Sequence, residues 1–139
     1  MRGQVVIVWQ LPEMSLLVLL VLFTILIRII DFSRVYNDEI QLSQAAREGA
    51  RIAAMGDLAG FSVSDATTRA GAALSNPAFE GNAPSFSVDV VKSDGSPFAL
   101  NAVCTDSTNL ARVTITIPYT KIMWGPDTLT QTAVMRCAG

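Results

Sequence analysis

The chain has 139 residues and a net charge of −2, and half of its residues are hydrophobic. This length predicts one domain, and the absence of a basic patch gives nucleic-acid binding little support. The sequence has no histidine, no C-x-x-C pair, no G-x-S-x-G motif and no phosphate-binding loop. It therefore favours neither a metal site nor an enzyme, and we expect no cofactor and no small-molecule substrate.

An uncharged apolar run, MSLLVLLVLFTILI (residues 14–27), dominates the N-terminal part. A helix needs about 20 mainly apolar residues to cross the hydrocarbon core, and extending the run to Val5 and Ile30 supplies that length. We predict a retained single-pass anchor, because no small-residue cleavage site follows Ile30. The side chains expected to insert are those of Met14, Leu16, Leu17, Leu19, Leu20, Leu22, Phe23, Leu26 and Ile27.

Two charged residues flank this run. Arg28 can extend its charged end to the membrane interface while its stem stays in apolar surroundings. Glu13 has two interpretations. It lies in the headgroup layer, where the start of a helix favours negative charge, or it is a buried carboxylate with a functional role.

The helical pattern continues beyond the anchor as far as Met55, without proline or turn signals. One face carries apolar and small residues at spacings of three, four and seven: Val35, Leu42, Ala46, Gly49, Ala50 and Ala53. The opposite face is predicted to carry polar residues, among them Asp38 and Gln41. The small residues allow close packing of either a partner helix or the chain's own sheet. In the first case, Gly49→Leu would disturb partner binding more than the fold of the head.

Glycines 56 and 60 are predicted to end the long helix. A short helix then follows, with Ser64-Asp65 as its N-cap and first turn, and Asn76-Pro77 stops it. The pattern next changes to a period of two, which predicts strands at 86–90, 110–117 and 129–137, with a turn at Ser93–Ser96.

The chain contains two cysteines, Cys104 and Cys137. An even count behind a membrane segment predicts one disulfide in an oxidising compartment, and this favours a C-terminal part outside the cytoplasm. Such a bridge would close a loop of about 30 residues and add about 3–4 kcal/mol of stability. Two unpaired buried thiols are the alternative.

Together these patterns predict an α+β chain. A transmembrane helix continues into a long amphipathic helix, and a short helix and a small antiparallel sheet of three or four strands follow. The expected divisions are an N-terminal segment with the anchor (1–30), the extramembrane continuation of the helix (31–56) and the head (57–139).

The stretch IIDFSRVYNDEIQLSQAAREGARIAA (29–54) resembles the segment after the membrane helix of TadE-like proteins. These are minor pilins, or pseudopilins, of the tight-adherence (Tad or Flp) pilus system. The core AAREGAR (45–51) matches especially well. The order of a cysteine, ARVTITIPYT (111–120) and LTQTAVMRC (129–137) is also typical of the family. The resemblance implies a type IV pilin-like fold and no enzymatic activity. The partners it implies are the lipid bilayer and other pilin or Tad assembly subunits.

The N-terminus departs from the family pattern, which places a glutamate just before the apolar helix. Cleavage after Gly3 would put Val8 at the fifth mature position, so Glu13 is the acidic residue available to set helix register. The resemblance implies a structural role in pilus assembly at the bacterial cytoplasmic membrane, with an extracytoplasmic head. The alternative is a single-pass binding module unrelated to pili, with Tyr119, Met123 and Trp124 as its contact surface.

Overall fold

The structure is a computed structural model that describes residues 5–74, 83–118 and 127–138; the side chains of 5–13 and 57 are not described. Within these residues, two α-helices, a short 3-10 helix and four strands follow one another. They are α1 (Val5–Met55), the 3-10 helix (Asp57–Ala59), α2 (Val63–Ala72), β1 (Ser85–Val91), β2 (Pro97–Leu100), β3 (Leu110–Pro118) and β4 (Thr128–Arg136). The predicted α+β arrangement is confirmed.

Helix α1 has 51 residues and is therefore about 75 Å long. Its middle is rich in leucine and other good helix formers and contains neither glycine nor proline between Pro12 and Gly49. The helix begins at Val5 and continues through Pro12. The helix ends at Met55, and the next residue, Gly56, has a φ of 54° in the left-handed region, as is common just beyond a helix C-terminus.

Helix α2 starts with a capping box rather than with the predicted Ser64-Asp65 cap. Ser62 is the N-cap, and its backbone N–H donates to Oδ2 of Asp65 at 2.8 Å. The Asp65 N–H in turn donates to Oγ of Ser62 at 3.4 Å. The prediction missed this start by two residues because Asp65 occupies the position that glutamate or glutamine usually takes in such a box.

We expect Ser62→Ala to lower the free energy of unfolding by about 1 kcal/mol at neutral pH, because the hydroxyl that accepts from the Asp65 N–H and donates to its carboxylate is lost. Hydrogen bonds from the Ser62 side chain and then its backbone hold the pKa of Asp65 below its ordinary value. The stability that the ionised Asp65 carboxylate gains from these hydrogen bonds is present above the ordinary pKa of aspartate. It is lost as the pH falls through the lowered pKa of Asp65. Urea titrations at several pH values should therefore show the Ser62→Ala deficit shrinking in acid. Thr68→Ala, at an exposed position inside α2, is the control and should be neutral or slightly stabilising.

The four strands form one antiparallel sheet in the order β2-β1-β3-β4. The predicted turn at Ser93–Ser96 connects β1 to β2. There the Lys92 N–H donates to the Ser96 carbonyl at 2.9 Å, and Gly95 adopts a φ of 84°. In β3, buried and half-buried residues alternate strictly, because successive side chains of a strand point to opposite faces.

Both helices pack on one face of this sheet, the inner face, and the second half of α1 contacts β3, β4 and α2. The core between these layers contains Leu42, Ala66, Ala70, Val88, Val113, Ile115, Ile117 and Leu129. The outer face is polar along the middle of β3 and β4. Two cross-strand threonine pairs, Thr114–Thr132 and Thr116–Thr130, each join their hydroxyls at 3.1 Å.

Candidate functional site: the membrane helix and its junction with the head

The apolar side chains in the N-terminal half of α1 are largely exposed among the described residues. The predicted anchor side chains from Met14 to Leu26 are 47–69% exposed, and Ile27 is half-buried. The most apolar window of the helix has a mean hydropathy of 2.5, with none of it buried within the chain. Thr24, one of the two polar residues in this run, donates its hydroxyl to the Leu20 carbonyl at 2.9 Å. The helix is thus long and apolar enough to cross a membrane.

The head begins to cover α1 at Asp31, which is only 8% exposed, directly after the apolar run. One of its carboxylate oxygens, Oδ2, has no hydrogen-bond partner among the described residues. Asp38 is 4% exposed. The prediction that Asp38 lies on the solvated face is therefore wrong. Asp31, Asp38 and Leu42 are separated by seven and four residues, so they share the face that packs on the head.

Gln41 was also assigned to the solvated face, and the structure places it differently. Its side chain is half-buried, and its Oε1 is a buried atom without a partner among the described residues. Polar residues therefore interrupt the face of α1 that packs on the head at its end nearer the anchor. Toward Met55, the buried residues of this face are mainly alanines.

The small residues of α1 pack inside the chain's own head. Leu42, Ala46, Ala50 and Ala53 have no exposed surface, and Gly49 is buried. A Cβ added to Gly49 would lie 3.1 Å from Cβ of Ala70 and 3.3 Å from Cγ1 of Val113. The sequence left open whether these residues pack on a partner helix or on the chain's own sheet. In the structure they pack on α2 and the sheet of the same chain. Ala45 and Ala54, also buried, were not among the predicted packing residues.

We expect Gly49→Leu to destabilise the head by about 3 kcal/mol or more, because overpacking a tight core forces its neighbours to move. This reverses the earlier expectation that partner binding would suffer first. Gly71→Leu is the matched control: a Cβ there meets only Cζ of Phe86, at an ordinary 3.7 Å. We expect it to cost less than about 1 kcal/mol. Thermal unfolding followed by near-UV circular dichroism would compare the two, and equal losses would contradict the packing described here.

A disulfide closes the junction between α1 and the sheet. Cys104 and Cys137 are bonded with their Cα atoms 5.6 Å apart, which confirms the predicted bridge. The Cys104 N–H donates to the Ala53 carbonyl at 3.0 Å, and the Ala138 N–H donates to the Ala54 carbonyl at 2.9 Å. Carbonyls that the end of a helix leaves without intrahelical partners are thus satisfied by the two chain segments that the disulfide joins.

A polar cluster on the outer face of the sheet was not predicted. Oδ2 of Asp89 lies 3.6 Å from Nη2 of Arg112 and accepts a hydrogen bond from Ser87 at 2.9 Å. Oδ1 of Asp89 accepts a hydrogen bond from the Asn101 N–H at 3.2 Å. Asn101 itself adopts the left-handed backbone conformation. The register pairs Asp89 directly with Arg112. The opposite charges at positions 89 and 112 could have predicted this ion pair. They do so only once the register of the two neighbouring strands is known.

Several of the sequence-based assignments lie outside the described residues. They include the side chain of Glu13, the helix stop at Asn76-Pro77, and the proposed contact surface of Tyr119, Met123 and Trp124.

Among the described residues, one helix can span a membrane, and it carries a disulfide-closed α+β head. This arrangement fits a membrane-anchored protein. Comparison with known families makes this class more specific. Residues 13–51 match the family described as TadE-like protein, so the predicted resemblance is confirmed over this segment. The matched segment covers less than a third of the chain. No curated protein and no solved structure matches the chain.

Proposed function

We propose that the chain is a minor pilin or pseudopilin of a Tad/Flp-type pilus and acts structurally during assembly. One observation carries this proposal: the segment that matches the TadE-like family joins the apolar half of α1 to the half on which the head packs. The helix therefore couples a membrane-embedded surface rigidly to the head. That coupling is what a subunit needs if it is to hold its head at a fixed height beside its neighbours.

The anchor supplies the surface for contact with other subunits in this proposal. Its exposed leucines and Phe23 are free of contacts with the head in the described structure, so they can pack against lipid or against the apolar helices of other subunits. Glu13 would set the register between such helices, since a carboxylate near an apolar core is costly unless it is paired.

The disulfide supports an extracytoplasmic head, because disulfides form and persist in oxidising compartments. In this proposal the helix crosses the cytoplasmic membrane once, and the head lies on the outer side. Whether the subunit enters the filament or stays with the assembly machinery depends on the contacts of the anchor with other subunits.

Co-purification from native membranes tests the proposed partners. The full chain carrying a C-terminal tag would be isolated in mild detergent, and its partners identified by mass spectrometry. We expect pilin or Tad assembly subunits to be enriched over an unrelated single-pass protein with the same tag. Recovery of envelope proteins without any pilus component would favour the binding-module alternative.

A further inference from the structure

A second apolar face of α1 continues past the anchor on the side away from the head. It consists of Ile29, Phe32 and Tyr36, which are 59%, 74% and 59% exposed; we call it the juxtamembrane aromatic face. These residues are spaced by three and four, so they lie in one line along the helix. The rings of Phe32 and Tyr36 are nearly parallel, with an interplanar angle of 11° and centroids 6.4 Å apart.

The head leaves this face uncovered. At the same height, Asp31 and Asp38 are buried and Val35 is half-buried. A rotation of about 100° per residue places Asp31 and Asp38 about 100–160° around the helix from Phe32 and Tyr36, and it places Val35 at the border between the two faces. Two exposed aromatic rings therefore remain on the part of α1 that stands between the anchor and the main body of the head.

The height of this face matches the headgroup layer. If the hydrocarbon region ends near Ile30, the Cα atoms of Phe32 and Tyr36 lie about 3 and 9 Å above it. The polar layer on each side of the hydrocarbon is about 5–7 Å thick. Helical side chains also lean toward the helix N-terminus, which here is toward the bilayer, so both rings reach lower than their Cα atoms.

We propose that the juxtamembrane aromatic face docks into the lipid interface of the bilayer. It is continuous with the exposed surface of the anchor, and Tyr36 combines an apolar ring with a hydroxyl that can remain in the headgroup layer. Phe32 and Ile29 fill the acyl boundary below it. The docking fixes the rotation of α1 about its axis, so that the head, which packs on a different side of the helix, is held away from the lipid. This inference depends on the membrane anchoring contained in the proposed function.

Photo-cross-linking distinguishes lipid from protein at this face. The photoreactive residue p-benzoylphenylalanine would replace Phe32 or Tyr36 in the full chain, reconstituted in vesicles of phosphatidylethanolamine and phosphatidylglycerol. After irradiation, intact mass would separate phospholipid adducts from cross-linked dimers. The same residue at Leu22, in the anchor, gives the lipid yield inside the bilayer. At Gln44, an exposed position farther up α1, it gives the yield outside the bilayer.

We expect phospholipid adducts at positions 32 and 36 to exceed those at 44 by at least about fivefold, because Gln44 lies well beyond the headgroup layer. Adducts at 22 without adducts at 32 and 36 would overturn the docking and leave the anchoring intact. Dimers in place of lipid adducts at 32 and 36 would also overturn it, since they would assign this face to a second copy. An absence of lipid adducts at 22 would overturn the anchoring and the docking together. Both substituted positions are exposed, so the fold of the head should be preserved, and its melting temperature checks this.

Discussion

Gly56→Ala is expected to be among the most damaging single substitutions in the head, lowering the free energy of unfolding by about 4 kcal/mol or more. The added Cβ would overlap the carbonyl oxygen of Cys104 and lie 2.8 Å from its carbonyl carbon. Both obstacles are backbone atoms held by the hydrogen bond from Cys104 to Ala53, so neither can move aside alone. The φ of 54° adds a smaller cost for any residue with a side chain.

Comparison with Gly60→Ala separates the two costs of Gly56→Ala, the steric overlap with Cys104 and the left-handed backbone conformation. Gly60 also has a positive φ, 75°, but nothing lies within 4 Å of a Cβ built there. We expect this variant to lose only about 1 kcal/mol, the cost of the left-handed conformation. Amide hydrogen exchange at Cys104 and Ala138 would report the junction directly, with strong acceleration expected for Gly56→Ala alone. Similar protection in both variants would show that the close approach of Cys104 to Gly56 is not maintained.

Replacing both cysteines by serine is the second change with a large expected effect. The bridge spans a sequence separation of 33, and removing a cross-link of that length should cost about 3–4 kcal/mol through the unfolded chain. The two segments that it joins also cap the end of α1 through Ala53 and Ala54. We therefore expect the double variant to unfold at lower urea concentration and to lose protection first at these caps. Far-UV circular dichroism in mild detergent should still show the helix of the anchor.

Reduction of the unmodified chain provides the control for this substitution. Dithiothreitol should lower the stability of the wild type to nearly that of the Cys104→Ser/Cys137→Ser variant and should leave the variant unchanged. If the oxidised wild type and the double variant unfolded at the same urea concentration, the bridge would contribute nothing to the stability of the head.

Periodicity predicted the main elements of the fold. The run of leucines and the helical spacing up to Met55 gave α1, and strict alternation gave β3, because these patterns follow directly from side-chain direction in helices and strands. The short edge strand β2 (Pro97–Leu100) was missed. Four residues that include a proline carry little alternation, and what holds them in place is pairing with β1.

The details of the junction could not be predicted, because they depend on contacts between distant segments. Gly56 was recognised as the end of a helix, but nothing near it in the sequence indicates that the backbone of Cys104 lies against it. Asp38 looked like a solvated charge because aspartate is rarely buried. The alanine and glycine face was compatible with either a partner or the chain's own sheet, and only the positions of α2 and the sheet decide between these two.

Pilus formation tests the central claim most directly. A strain lacking the gene would be complemented with the wild type, with Leu20→Arg in the anchor, or with Leu100→Arg, and surface pili would be counted by electron microscopy. Both leucines are strongly exposed, at 59% and 72%, but an arginine at the centre of a membrane helix costs about 2.5–3.5 kcal/mol. We expect pili with the wild type and Leu100→Arg, and few or none in the deletion strain or with Leu20→Arg. Normal numbers of pili in the deletion strain would contradict a role in pilus assembly.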